Sequence, residues 1–167
     1  ILSLKEATKA IKDKKIDVLV TAPINKDLSY SKSFKYRGHT EFFKHYFSTN
    51  PLMLMISEEI KIALLTDHIP LKDVSNAINK DIVEQKIKAL ETSLIEDFQI
   101  KKPKIAVMAV NPHAGDNGLI GNEDKSIITP AINSFSIAQS SVSGPFSADT
   151  FFANENYKKY DGIIASY

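Results

Sequence analysis

The chain has 167 residues, 43% of them apolar and 25% charged, enough for about one domain with a buried core. This composition argues against intrinsic disorder, and the absence of cysteine excludes a disulfide scaffold, a thiolate nucleophile and any cysteine-held metal. Lys and Arg total 21 against 20 Asp and Glu, a net charge of +1; no charge imbalance recommends nucleic acid or an acidic partner.

Residues 1–15 predict an amphipathic helix, with Leu4, Ala7, Ala10 and Ile11 near one face. Residues 17–22 (DVLVTA) predict a short buried strand stopped by Pro23, then a polar loop over 25–37 that ends at Gly38. A helix is expected at 41–47 with Thr40 as its N-cap. Apolar runs at 52–56 and 60–66, separated by Ser57, Glu58 and Glu59, have hairpin spacing. Helical segments follow at 72–79 and 81–98; in the second, Ile82, Ile87, Leu90, Leu94 and Ile95 fall largely on one face. Residues 104–110 (KIAVMAV) predict the next strand. After it come a glycine-rich loop at 111–121, a helix over 123–134, a weak extended segment at 141–143, a short helix after Ala148 and a strand at 162–165. This alternation implies an α/β fold, a mixed-sheet α/β/α sandwich forming a single unit over 1–167. The sequence opens without methionine and stops beside an apolar run, so it is expected to be the central part of a longer chain. The longest mostly apolar stretch, 51–56, is far below the ~20 residues of a membrane span, and no leader-like pattern is present; a cytoplasmic protein with no membrane partner is expected.

In open α/β folds ligands gather beyond the carboxyl ends of strands. The informative positions are therefore Asn25 and Lys26, Asp67 and His68, Asn111 and His113, and Asp149. Two imidazoles, His68 and His113, converging on one sheet edge suit a divalent metal; the plainer alternative is a pair of loop histidines. His39 precedes Thr40 at a helix start, where N–H groups, a hydroxyl and an imidazole can hold a phosphate or simply cap the helix. His45 is expected on a solvated helix face. The loop NPHAGDNGLIG lacks both the Lys-Ser/Thr ending of a P-loop and the G-x-G-x-x-G fingerprint. Its glycines at 115, 118 and 121 are expected to turn the chain sharply and present His113, with Asp116 or Glu123 bracing or capping the next segment. Ser143, His68 and Asp149 offer triad residue types, but no G-x-S-x-G elbow accompanies them.

Taken in order, VTAPINK (20–26), GHTEFF (38–43), LLTDHIPLKDV (64–74), PKIAVMAVNPHAGDNG (103–118) and SGPFSADTFF (143–152) resemble the 4-hydroxythreonine-4-phosphate dehydrogenase family of the vitamin B6 pathway. The five segments span nearly the whole chain at near-family spacing. The resemblance implies an isocitrate/isopropylmalate dehydrogenase-like fold and a homodimer with its active site at the interface. It further implies NAD or NADP with a divalent metal such as zinc, magnesium, cobalt or manganese. Carried over, the metal histidines are His68 and His113, the substrate-binding pair is His39 and Thr40, and Asp149 contacts substrate. Lys26 is a candidate for steering the anionic substrate, with a plain surface lysine as its alternative. The family's third metal histidine follows the motif that aligns with IIASY, beyond Tyr167, and cofactor contacts are expected there too. The implied reaction is oxidation of 4-phosphooxy-L-threonine and decarboxylation to 3-amino-2-oxopropyl phosphate, with the isolated 167-residue piece inactive. Alternatives are a related dehydrogenase of another phosphorylated hydroxy acid, a metal-dependent phosphatase or hydrolase, and a non-catalytic binding module.

Overall fold

The computed structural model describes residues 2–25, 34–36, 38–135 and 141–167. The chain divides into two compact units, Ile1–Pro51 and Leu52–Tyr167, and each is taken by itself.

In the first unit, helix α1 (Leu2–Lys12) is shorter than the expected span. Thr8 is fully buried on it, and its hydroxyl donates to the Leu4 carbonyl at 2.6 Å, the back-bond that lets a mid-helix threonine enter a core. Helix α2 (His39–Phe47) begins after its N-cap Gly38, which has no side chain to cap it. Thr40 is therefore inside the first turn rather than the N-cap, which corrects the expected helix start. Phe34 and Phe42 are buried and packed 5.5 Å apart, with Tyr36 edge-on to both. The expected strand at 17–22 is absent. Those residues form no ladder, and Val18 is 76% and Val20 90% exposed. Alternating β-branched residues supply propensity, but a strand also needs a neighbour to receive its hydrogen bonds, and among the described residues none pairs with it.

The second unit holds a five-stranded sheet in the order β1-β2-β5-β3-β4. Strands β1 (Leu54–Ile56) and β2 (Lys61–Leu64) pair antiparallel, as the hairpin spacing requires. Strand β5 (Gly162–Ala165) lies between β2 and β3 (Lys104–Met108), parallel to both, and β4 (Ser141–Phe146) runs parallel outside β3. The weak segment at 141–143 is thus the start of a six-residue strand.

Register explains the apolar composition of the inner strands. Ala63, Ile164 and Val107 stand abreast, as do Ile62, Ile163 and Ala106, and successive residues feed opposite faces. One face packs under helix α4 (Lys80–Glu96), which buries Val83, Ile87, Leu90 and Leu94, and under α5 (Thr129–Asn133), which buries Ala131 and Ile132. Asn79 starts α4 by accepting the Ile82 N–H at 3.0 Å. A short helix, α3 (Val74–Ala77), precedes it. The other face carries Ala106, Met108 and Ile163 against Phe151 of α6 (Ala148–Ala153), with Phe146, Tyr157 and Tyr160 around them. Both faces are covered, as a largely parallel sheet requires. Among the described residues no helix is long and apolar enough to cross a membrane.

Candidate functional site

Strands β2, β5, β3 and β4 are mutually parallel, so their carboxyl ends share one edge. His68 follows β2 by four residues, His113 follows β3 by five, and Asp149 follows β4 by three. Only β5 separates β2 from β3, and two inter-strand spacings amount to about 10 Å. His68 and His113 therefore emerge on the same edge, one strand apart, as the post-strand rule anticipates.

Both histidines have left-handed backbones, φ 54 at His68 and φ 50 at His113, whereas His39 and His45 sit in regular helix. A non-glycine residue in this region costs about 1–2 kcal/mol, and such strain concentrates where a side chain must be aimed. Preceding His68, the paired chain continues past β2: the Leu65 and Thr66 N–H groups donate to the Ala165 and Ser166 carbonyls, and the Thr66 hydroxyl donates to Ser166 O at 2.8 Å. Asp67 then pairs with Lys86 of α4 at 3.3 Å through Oδ2, while its buried Oδ1 accepts no hydrogen bond from the described residues.

His113 opens a left-handed turn that runs through Asn117. Its backbone N–H donates to Ser147 Oγ at 3.1 Å, and Ser147 Oγ donates to Asp149 Oδ1 at 2.6 Å. His113 Nδ1 lies 3.4 Å from Asp149 Oδ2, with both side chains more than half exposed. The Ser147 hydroxyl, then the Thr150 N–H, hold the Asp149 carboxyl below the usual carboxylate range, and the nearby imidazole adds to this. Ser147 thus ties the β4 edge to the turn that carries His113.

The turn's other anchor lies under it. Asp124, 2% exposed, accepts the Val110 N–H at 2.7 Å, the Asn111 N–H at 3.0 Å and the Asn111 side-chain amide at 3.1 Å. The Asn111 amide also donates to Glu123 at 2.8 Å, and Ser75 Oγ donates to Glu123 at 3.1 Å. The Asn111 amide is the main cause of a lowered Glu123 pKa, with backbone N–H groups and Ser75 assisting. Of the two braces expected from sequence, Glu123 serves through Asn111. The buried carboxylate, however, is Asp124, not Asp116, which is itself a left-handed, exposed turn residue. The helix expected over 123–134 starts as a π turn (Asp124–Ile128) before α5. Within that span only Asp124 is both charged and buried.

His39 and Thr40 are the first two residues of α2, at its N-terminus, with the His39 ring stacked 6.2 Å from Phe43. Lys26 lies outside the described residues. For a divalent metal, His68 and His113 have suitable donor chemistry, imidazole nitrogens that follow the ends of strands in one sheet. A catalytic metal site takes about three protein ligands; among the described residues no group of three His, Asp or Glu side chains gathers closely enough to hold an ion.

The fold is an α/β sheet protein in which His68, His113 and Asp149 follow the carboxyl ends of parallel strands on one edge. The family model described as pyridoxal phosphate biosynthetic protein PdxA matches residues 1–167. The chain is 38% identical over 167 residues to a 4-hydroxythreonine-4-phosphate dehydrogenase of Bacteroides thetaiotaomicron, covering 99% of this chain and 46% of that protein. A Sulfurihydrogenibium protein of the same name is 38% identical over 168 residues, covering 100% of this chain and 52% of that one. The crystal structure of 4-hydroxythreonine-4-phosphate dehydrogenase from Klebsiella pneumoniae superposes with a TM-score of 0.89 at 32% identity, covering 98% of this chain and 50% of that one. The chain belongs to the PdxA family and has the isocitrate/isopropylmalate dehydrogenase-like fold expected from the resemblance. It spans about half the length of the curated relatives it matches.

Proposed function

We propose that this chain is part of a longer, two-domain, NAD(P)-dependent dehydrogenase that oxidises 4-phosphooxy-L-threonine, the product losing carbon dioxide to give 3-amino-2-oxopropyl phosphate in pyridoxine biosynthesis. The observation that carries the reading is the emergence of His68, His113 and Asp149 on one sheet edge in a chain matched along its whole length by the family.

His68 and His113 hold a divalent metal through ring nitrogens, with a further ligand from outside the described residues. When bound, the metal supplies a Lewis acid and the nicotinamide a hydride acceptor. His39 and Thr40 take the substrate phosphate: they stand at the N-terminus of α2, where backbone N–H groups favour an anion and the imidazole and hydroxyl add two donors. Asp149, kept ionised by Ser147 and Thr150, contacts the cationic or hydroxyl part of the substrate, and Lys26 steers the anion. Which nicotinamide is used, and the homodimer with its site at the interface, are part of the same proposal.

The test is the full-length enzyme reconstituted with zinc, magnesium, cobalt or manganese and given 4-phosphooxy-L-threonine with NAD or NADP. Metal-dependent reduction of the nicotinamide with release of carbon dioxide is expected. Release of inorganic phosphate without reduction would instead identify a phosphatase and overturn the assignment.

A further inference from the structure

The chain from His113 to Asn117 is left-handed at five consecutive residues, with φ 50, 53, 81, 42 and 56, and only one of them is glycine. Such a run is disfavoured for L-residues, so it persists only where the surroundings over-determine it. Its exit is closed locally, by the Leu119 N–H on Asp116 O and the Ile120 N–H on Gly115 O. Its first residue is held by Ser147 on the exposed side. Its entry, residues 110 and 111, is held by one buried group, Asp124, whose two carboxylate oxygens accept three N–H bonds. An ionised carboxylate makes such bonds about twice as strong as a neutral acceptor, and removing it would leave half-buried donors without this partner.

We propose that Asp124 is a positioning residue for His113: through the Val110 and Asn111 N–H groups and the Asn111 side chain, it fixes the entry of the left-handed turn and thereby the place of the imidazole. It touches no reacting group. Asn111 extends the clamp to Glu123, and Ser75 links Glu123 to the start of α3, so the turn after β3 is tied to the segment that follows His68. The inference rests on the reading of His113 as a metal ligand.

The experiment uses the full-length chain, stripped of metal, with cobalt(II) as probe. Cobalt affinity, amide hydrogen exchange over 109–118, and the split of kcat from the nicotinamide KM are compared for wild type, Asp124→Asn, Asn111→Ala and His113→Ala. Asp124→Asn is expected to weaken cobalt binding by about 10–100-fold, the range for partners that orient a ligand. It should also speed exchange at 110 and 111 by about tenfold or more and lower kcat while leaving the nicotinamide KM unchanged. Asn111→Ala, which keeps the Asp124 carboxylate on both backbone N–H groups, should show the same pattern more weakly, and it decides the matter if Asp124→Asn does not fold. Cobalt affinity within about twofold of wild type in the deciding variant, or weakened affinity with unchanged exchange, overturns the positioning role. If His113→Ala itself binds cobalt like wild type, the metal-ligand reading fails and takes the inference with it; loss in His113→Ala alone refutes only the role of Asp124.

Discussion

Gly115→Ala isolates the handedness of the turn that presents His113. Gly115 has φ +81, and a Cβ built there would lie 2.5 Å from the Gly121 carbonyl oxygen and 3.5 Å from its carbon. The conformational part, placing an L-residue in the left-handed region, costs about 1–2 kcal/mol. The contact part cannot be relieved by rotating a side chain, because the obstacle is main chain, so overpacking adds about 1–3 kcal/mol. Together these predict a loss of about 2–5 kcal/mol in the local opening free energy of the turn. Gly118→Ala is the matched comparison: φ is +99, but the atom met at 2.5 Å is the Asn122 side-chain oxygen, which can swing away, so only about 1–2 kcal/mol is expected. Native-state hydrogen exchange over 109–121 in the full-length chain measures these openings residue by residue without requiring two-state unfolding of the whole enzyme. An alanine at 115 that changes the opening by less than about 0.5 kcal/mol, within the scatter of neutral substitutions, would show that the turn is not held in this geometry. Equal losses at 115 and 118 would refute the main-chain obstacle.

Three further outcomes are expected. His68→Ala and His113→Ala should each lower kcat/KM by more than about 100-fold, beyond the range for an orienting partner, while His45→Ala, on an exposed helix position, stays within about twofold; equal activity of all three would contradict the assignment of the two strand-end histidines. Ile87→Ala, which empties a fully buried position of α4, should cost about 2–5 kcal/mol, read as faster exchange across β5, and a loss below about 1 kcal/mol would contradict the packing of α4 on the sheet. Because its folded pKa is lowered, Glu123 stabilises the fold above its unfolded pKa, and that contribution is lost as pH falls through the folded value. Asn111→Ala removes the main cause of the lowering and should move the Glu123 titration, followed by carboxylate carbon NMR, upward; an unmoved titration would contradict the hydrogen bond.

Those elements that carry their own pattern are legible from the amino acids alone. The β1–β2 hairpin shows as two apolar runs with a polar gap, and α4 in the helical spacing of Ile87, Leu90 and Leu94, all buried, although Val83 rather than Ile82 completes the buried face and the Asn79 cap is not among the sequence expectations. Strand-end positions single out His68 and His113 because the rule concerns topology, which alternating elements already specify. The failures are places where partners decide. Residues 17–22 have strand composition but no ladder among the described residues, and β4 passes Gly144 and Pro145, residues of poor strand propensity, at an irregularity in its pairing with β3 before resuming with Phe146 opposite Met108. Asp124 escapes a reading by sequence because an acidic residue at a helix start ordinarily points to solvent or to its own first turn; only the fold brings the Val110 and Asn111 N–H groups to it.

The same contrast bears on why this edge is a site at all. Parallel strands end with unpaired polar backbone, and the usual solution is a short loop into the next helix. Here the chain after β3 instead winds left-handed before α5, at a conformational cost, and offsets that cost with a buried carboxylate from below and the Ser147 hydroxyl beside it. Neither brace is needed to complete the sheet, whose ladders close by residue 109 through the Ala109 N–H on Phe146 O. Two independent anchors on one strained, exposed turn make sense if the position of its first side chain matters, and that side chain is His113. The chain after β2 follows the same logic on a smaller scale, with Thr66 fastened to Ser166 and Asp67 to Lys86 immediately before the left-handed His68. Rigid fastening of the residues just ahead of each histidine is what a preorganised ligand set requires, and it distinguishes these two positions from the helical His39 and His45.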